Sequence, residues 1–175
     1  MCKQPVLLII ILSFALISCS GNQKSGKSEN SIKLTENQLI QLNKAWVAKE
    51  NAEIDNFIKQ KKWKMKETST GLRYMIYHHA NGEKAKPGKV ATIAYTEKLL
   101  DGTVVYSSSK NGLKSFVIGH SRMPVGLEEG INLLKVGEKA KFILPSHLAY
   151  GLSGDGRKIP PNVPIIFDVK LIQLK

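Results

Sequence analysis

The sequence predicts an α+β domain, an antiparallel sheet wrapped on one short helix, with a helical extension ahead of it. Short stretches after residue 70 alternate apolar and polar residues with a period of two. Asp101-Gly102 supplies a tight reversal between two of them, and a single short helical segment interrupts the run. The 175 residues, 42% hydrophobic and 23% charged, suit one ordinary domain with appendages and exclude wholesale disorder.

The first element precedes the domain. Lys3 stands before the apolar run Val6–Leu16, broken only by Ser13, and Leu16-Ile17-Ser18-Cys19 closes it. A basic start, a short apolar stretch and small residues before a cut describe a secretory signal over residues 1–18. The stretch is shorter than the roughly 20 residues a transmembrane helix needs. Leu-Ile-Ser-Cys resembles the bacterial lipobox, which implies that Cys19 is lipidated and becomes the mature N-terminus. The alternative is an ordinary cleaved signal. Cys2 lies inside the signal, so the mature chain carries Cys19 alone and forms no internal disulfide. Residues 19–34, rich in Ser, Gly, Lys and Asn, read as a flexible tether.

The pattern changes at Thr35. Thr35 followed three residues later by Gln38 resembles a capping box. Ile40, Val47 and Ile54 then recur every seven residues, flanked by Leu39, Trp46, Phe57 and Ile58, which predicts an amphipathic helix to about Gln60 within an extension of residues 35–67. The polar middle (Lys49, Glu50, Asn51, Glu53) breaks the stripe. Two readings stand: a helix packed on its own domain, or a neck that forms a homodimer.

The domain proper is expected over residues 68–175. Leu72, Tyr74 and Ile76 alternate, then a charged loop runs to Pro87-Gly88. Ala91, Ile93, Tyr95 and Leu99 share one strand face, and Asp101-Gly102 turns the chain into Thr103–Ser107. Phe116 and Ile118 begin another strand, and Leu127–Leu134 is the short helix, stopped near Gly137. Ala140, Phe142 and Leu144, and later Ile165, Phe167, Val169 and Leu171, complete the alternation.

Much familiar chemistry is missing from this pattern. No phosphate loop, dinucleotide glycine pattern or zinc-type Cys/His spacing occurs, so no metal or cofactor is expected. Adjacent His78 and His79 point to opposite sides of an extended chain and read as solvated. His120 and His147 have no carboxylate at motif spacing. Glu128 and Glu129 open the short helix, where exposed amides favour negative charge. A pocket built from aromatics is what remains.

Three ordered stretches carry a resemblance: Tyr95-Thr-Glu-Lys-Leu-Leu-Asp-Gly-Thr-Val-Val-Tyr-Ser-Ser, Val125-Gly-Leu-Glu-Glu-Gly-Ile-Asn-Leu-Leu-Lys-Val-Gly-Glu-Lys-Ala, and Leu144-Pro-Ser-His-Leu-Ala-Tyr-Gly, the last leading to Ile159-Pro-Pro-Asn-Val-Pro-Ile-Ile-Phe-Asp-Val. Together, over residues 88–175, they resemble the FKBP-type peptidyl-prolyl cis-trans isomerases, within them the bacterial lipoprotein subgroup. The resemblance implies a half-barrel antiparallel sheet curled around the short helix, and a shallow apolar pocket that receives a proline side chain. Carried over by position, the catalytic cradle is Tyr95, Phe116, Tyr150 and Phe167. The substrate-binding residues are Val105, Tyr106, Met123, Pro124, Leu127 and Ile159.

Departures from the family pattern colour that expectation. Leu127 stands where a tryptophan often forms the floor, leaving a shallower platform. Tyr106 stands where an aspartate usually holds the pocket hydroxyls, and offers a hydroxyl instead. Pro124 has no N–H to bond a ligand carbonyl. The loop Gly151–Lys158 carries Asp155, Arg157 and Lys158, which points to prolyl substrates with acidic neighbours.

The expected function is isomerisation of X–Pro bonds in unfolded or maturing exported proteins. The alternatives are a chaperone-like or scaffolding module that binds such chains without turnover, and an envelope structural protein. With Ser20 after Cys19, the family likeness implies an outer-membrane lipoprotein facing the periplasm of a Gram-negative cell. The net charge of +12 fits that reading better than nucleic-acid binding. The domain holds fifteen bases against eight acids, the helical region seven against five, and the tether three against one. An excess spread this thinly suits solvated faces and contact with anionic membrane or acidic clients.

Overall fold

The computed structural model describes residues 34–175. The expected signal, Cys19 and all of the tether except Leu34 lie outside the described residues. Helix α1 spans Glu36–Lys61 and starts on the anticipated capping box. Gln38 N donates to the Thr35 side chain at 3.4 Å, and Thr35 N donates to Gln38 Oε1 at 2.8 Å. It ends at Lys62 in the left-handed conformation (φ 54°), whose N–H closes on Ile58 and Lys59.

The sheet follows in the order of the chain: β1 (Lys66–Glu67), β2 (Arg73–His78), β3 (Val90–Leu99), β4 (Val104–Ser107), the single turn α2 (Ser108–Asn111), β5 (Lys114–Val117), α3 (Val125–Asn132), β6 (Lys139–Leu144) and β7 (Ile165–Leu174). The strands order as β1-β2-β6-β7-β3-β4, with β5 also paired to β3, and every pair is antiparallel. The two ten-residue strands β3 and β7 form the spine, paired from Ala91↔Leu174 to Leu99↔Ile165 with one register shift between Thr92 and Ile93. At the β3–β4 hairpin Gly102 has φ 93°, and the Asp101 carboxylate accepts from Thr103 N at 2.8 Å.

Alternation decides which side chains meet. Ala91, Ile93 and Tyr95 of β3, Ala140, Phe142 and Leu144 of β6, and Ile165, Phe167, Val169 and Leu171 of β7 join one core with Leu127, Ile131 and Leu134. Ile143 and Ile166, register partners on the other face, pack with Ile54 of α1, bordered by Phe57, Ile58 and Trp63. Both faces are therefore covered here, which explains the unbroken burial of Phe142-Ile143-Leu144 and Ile165-Ile166-Phe167. Burying isoleucines of this size contributes about 1.5–3 kcal/mol each, enough to hold the C-terminal half of α1 on the sheet. The rest of the heptad stripe is left out: Ile40 and Val47 are 43% and 49% exposed.

The short helix lies two residues earlier than Leu127–Leu134. Pro124 is its N-cap, and the Pro124 carbonyl accepts from Leu127 N (2.9 Å) and Glu128 N (3.2 Å). Leu133 and Leu134 belong to a tighter closing turn, bonded to Gly130 and Ile131. Periodicity alone could not separate that turn from the helix, because its leucines are still apolar and inward. Gly126 and Gly130 let α3 approach the sheet closely. A Cβ at Gly130 would lie 2.7 Å from the Phe142 ring, and one at Gly126 2.8 Å from Leu144. Glu128 accepts from Gly119 N and the Ser121 hydroxyl, while Glu129 accepts from Thr70 Oγ1 at 2.7 Å.

Candidate peptide-binding cleft

The cleft forms where β3, β4 and β5 meet the long connection between β6 and β7. It has a volume of about 430 Å³ and is lined by Tyr95, Tyr106, Asn111, Lys114, Tyr150, Asp155 and Arg157. Each element places its residue for a local reason. Tyr95 and Glu97 share the inward parity of β3, and Tyr106 faces Glu97 across the β3–β4 ladder. Tyr150 follows the short 3-10 turn Ser146–Leu148, and its successor Gly151 has φ 58°.

The ten residues expected from sequence separate into two groups. Tyr95, Val105, Phe116, Leu127, Ile159 and Phe167 belong to the buried core behind the cleft, with Phe167 and Leu127 0% exposed and Phe116 8%. Tyr106, Met123 and Tyr150 are partly buried and pack against that core. Pro124 is buried at the start of α3. Only Tyr95, Tyr106 and Tyr150 of the ten line the open volume.

Asp155 organises the loop over the cleft. Its Oδ2 accepts from the Tyr106 hydroxyl, and its Oδ1 accepts from the backbone N–H of Arg157 (2.9 Å), Lys158 (2.8 Å) and Ile159 (2.7 Å). Burial pushes the carboxyl up, but the Tyr106 hydroxyl and those three N–H groups outweigh it and hold it at about 2. The hydroxyl of Tyr106 is thus committed to the loop. Its ring carries Lys158 Nζ 5.4 Å from the centroid, and the Tyr95 ring carries Lys114 Nζ at 4.9 Å. Lys114, Arg157 and Lys158 outnumber the Asp155 carboxylate and make the rim basic.

Sequence reasoning missed Lys114 and, above all, Glu97. Glu97 is 0% exposed and both of its carboxyl oxygens lack a hydrogen-bond partner. Burial pushes its carboxyl up, while the nearby Tyr150 hydroxyl and Lys114 pull it down and Asp155 pushes it up again. The Tyr150 hydroxyl is close enough to act on it without meeting the geometry of a formed hydrogen bond. The signal lies in the alternation: Ala91, Ile93, Tyr95 and Leu99 share one strand face, and Glu97 has their parity. His79, read as solvated, is mostly exposed but also reaches the buried Glu138 at 3.2 Å. Among the described residues no cluster of three His, Cys, Asp or Glu is placed to hold a metal.

A single antiparallel sheet closed over one short helix, opening on a tyrosine-lined cleft, is the half-barrel class of domain. The family model described as FKBP-type peptidyl-prolyl cis-trans isomerase matches residues 81–172, and the chain belongs to that family. The chain is 40% identical over 110 residues to the probable FKBP-type peptidyl-prolyl cis-trans isomerase FkpA of Neisseria meningitidis, covering 63% of this chain and 40% of that protein. It is 33% identical over 165 residues to FkpA of Buchnera aphidicola, covering 89% of this chain and 65% of the relative. The crystal structure of FkpA from Escherichia coli superposes with a TM-score of 0.64 at 30% identity, covering 82% of this chain and 74% of that one. The chain thus spans well under half the length of the Neisseria relative.

Proposed function

We propose that the protein is a peptidyl-prolyl cis-trans isomerase that assists the folding of exported polypeptides. The observation that carries the reading is the convergence of Tyr95, Tyr106 and Tyr150 on one cleft, backed by the apolar cluster of Val105, Phe116, Leu127, Ile159 and Phe167. Rotation about an X–Pro bond is opposed by amide resonance, with a barrier of about 18–20 kcal/mol. At the twisted midpoint that resonance and part of the carbonyl's charge separation are lost. An apolar surface favours that species over the planar amide, and a hydroxyl donor fixes the carbonyl, so the rate gain comes from differential binding. Tyr150 supplies the donor and the rings of Tyr95 and Tyr106 the surface at the opening, with Phe167, Phe116, Leu127, Val105, Met123 and Ile159 packed as the apolar backing beneath them. No nucleophile or cofactor is required. The test is the cis-to-trans rate of a proline peptide with the wild type and with Tyr150→Phe. A wild-type rate equal to the uncatalysed one removes the enzyme reading and leaves the chaperone-like module, which the commitment of Tyr106 to Asp155 and the missing N–H of Pro124 favour.

The basic rim supports a preference for acidic residues beside proline. Cys19, at the end of the lipobox-like stretch, is the proposed lipid anchor, with the domain facing the periplasm from the outer membrane. Mass spectrometry of the mature N-terminus tests this, and an unmodified Cys19 ends it. The exposed Ile40, Trp46 and Val47 of α1 support a homodimer, checked by the solution mass with and without residues 35–60.

A further inference from the structure

Glu97 is a fully buried acid with two unpartnered oxygens, set beside the hydroxyl expected to serve the substrate. The ionisable groups facing it are Tyr95 on its own strand, Tyr106 on β4, Lys114 on β5, and Tyr150 and Asp155 from the loop between β6 and β7. Lys114 is the one cation of that set, and it also lies over the Tyr95 ring. A tyrosine hydroxyl has a single proton to donate. If that proton points at a carboxylate, it is withdrawn from a peptide carbonyl.

We propose that Glu97 is the positioning residue of the cleft: protonated, it donates to the Tyr150 oxygen and leaves the tyrosine proton for the peptide, and ionised, it takes that proton itself. This rests on the isomerase reading for its consequence, but not for its geometry. Burial of the acid and its two unfilled oxygens favour the protonated form. The coupling is reciprocal, so a bound proline peptide that engages Tyr150 also raises the affinity of Glu97 for its proton.

The experiment measures kcat/KM of the full chain on a Leu-Pro tetrapeptide by NMR exchange between its cis and trans forms, from pH about 5 to about 9, for wild type and Glu97→Gln. Wild-type kcat/KM is expected to fall roughly five- to tenfold with rising pH, the loss of one hydrogen bond. The side-chain amide of the Glu97→Gln variant cannot ionise, so there the ratio between the two ends of the range is expected near one, whatever the absolute rate. A flat wild-type profile, or the same slope in both proteins, overturns the inference. A wild type with no turnover at any pH fails the isomerase reading alone, and the carboxyl carbon of Glu97, assigned by its loss in Glu97→Gln, then decides. A titration midpoint above the ordinary glutamate range that moves further up in Tyr150→Phe sustains the coupling. An ordinary midpoint, or one indifferent to Tyr150→Phe, overturns it.

Discussion

Glu50, in the middle of α1, accepts the backbone N–H of Ser146 at 2.8 Å and its hydroxyl at 3.2 Å. The pair joins the N-terminal helix to the turn that presents Tyr150, four residues further along. Glu50→Ala leaves a half-buried amide without its carboxylate, and the expected loss of stability is about 1–3 kcal/mol. Urea denaturation of both proteins measures it. Equal midpoints would show that the helix and the turn are held independently.

Tyr106 and Asp155 couple the hairpin to the cleft loop. In Tyr106→Phe the Asp155 carboxyl loses the largest of the contacts that favour its charged form, and its titration is expected to move up from about 2 towards the ordinary range. The folded value is depressed, so the ordering contributed by this group is present above the unfolded value of about 3.9 and is lost as pH falls towards the folded one. Amide exchange of Arg157, Lys158 and Ile159 reports it. Unchanged exchange in the variant at low pH would remove Tyr106 from that role.

Glu97 predicts the opposite slope. Its folded value is raised, so between the unfolded value of about 4.3 and the folded one the native state holds the extra proton. That contribution is fully present below the unfolded value and disappears as pH rises through the folded one. Glu97→Gln is therefore expected to gain stability relative to wild type as pH rises, measured as the difference between their urea midpoints. A difference independent of pH contradicts this.

Close packing of α3 makes Gly130 intolerant of a side chain. Gly130→Ala gains up to about 1 kcal/mol in helix propensity but drives a methyl into the Phe142 ring, and overpacking costs about 1–3 kcal/mol. A net destabilisation is expected by thermal or urea unfolding. A stabilised variant would mean that α3 can lift from the sheet freely.

The rim charges make a prediction about substrates. Peptides with Glu before proline are expected to show a lower KM than those with Lys, and the gap should shrink in high salt, because exposed charges are screened. Equal values at low salt would assign Lys114, Arg157 and Lys158 no part in selection.

Local chemistry alone was sufficient for several elements. The capping box at Thr35, the Asp101-Gly102 reversal and the period-two runs of β3, β6 and β7 were legible because each depends on neighbours within a few residues. The ordered motifs from Tyr95 to Val169 also made the family legible. Tertiary structure alone decided the rest. It set which part of the α1 stripe is buried, since Ile54, with Phe57 and Ile58 beside it, packs on Ile143 and Ile166 while Ile40 and Val47 stay exposed. It assigned the hydroxyl of Tyr106 to Asp155, 49 residues away. It also turned Glu97, one more charge in a +12 chain, into a buried acid beside Tyr150, because a side chain's ionisation depends on what three-dimensional packing puts around it.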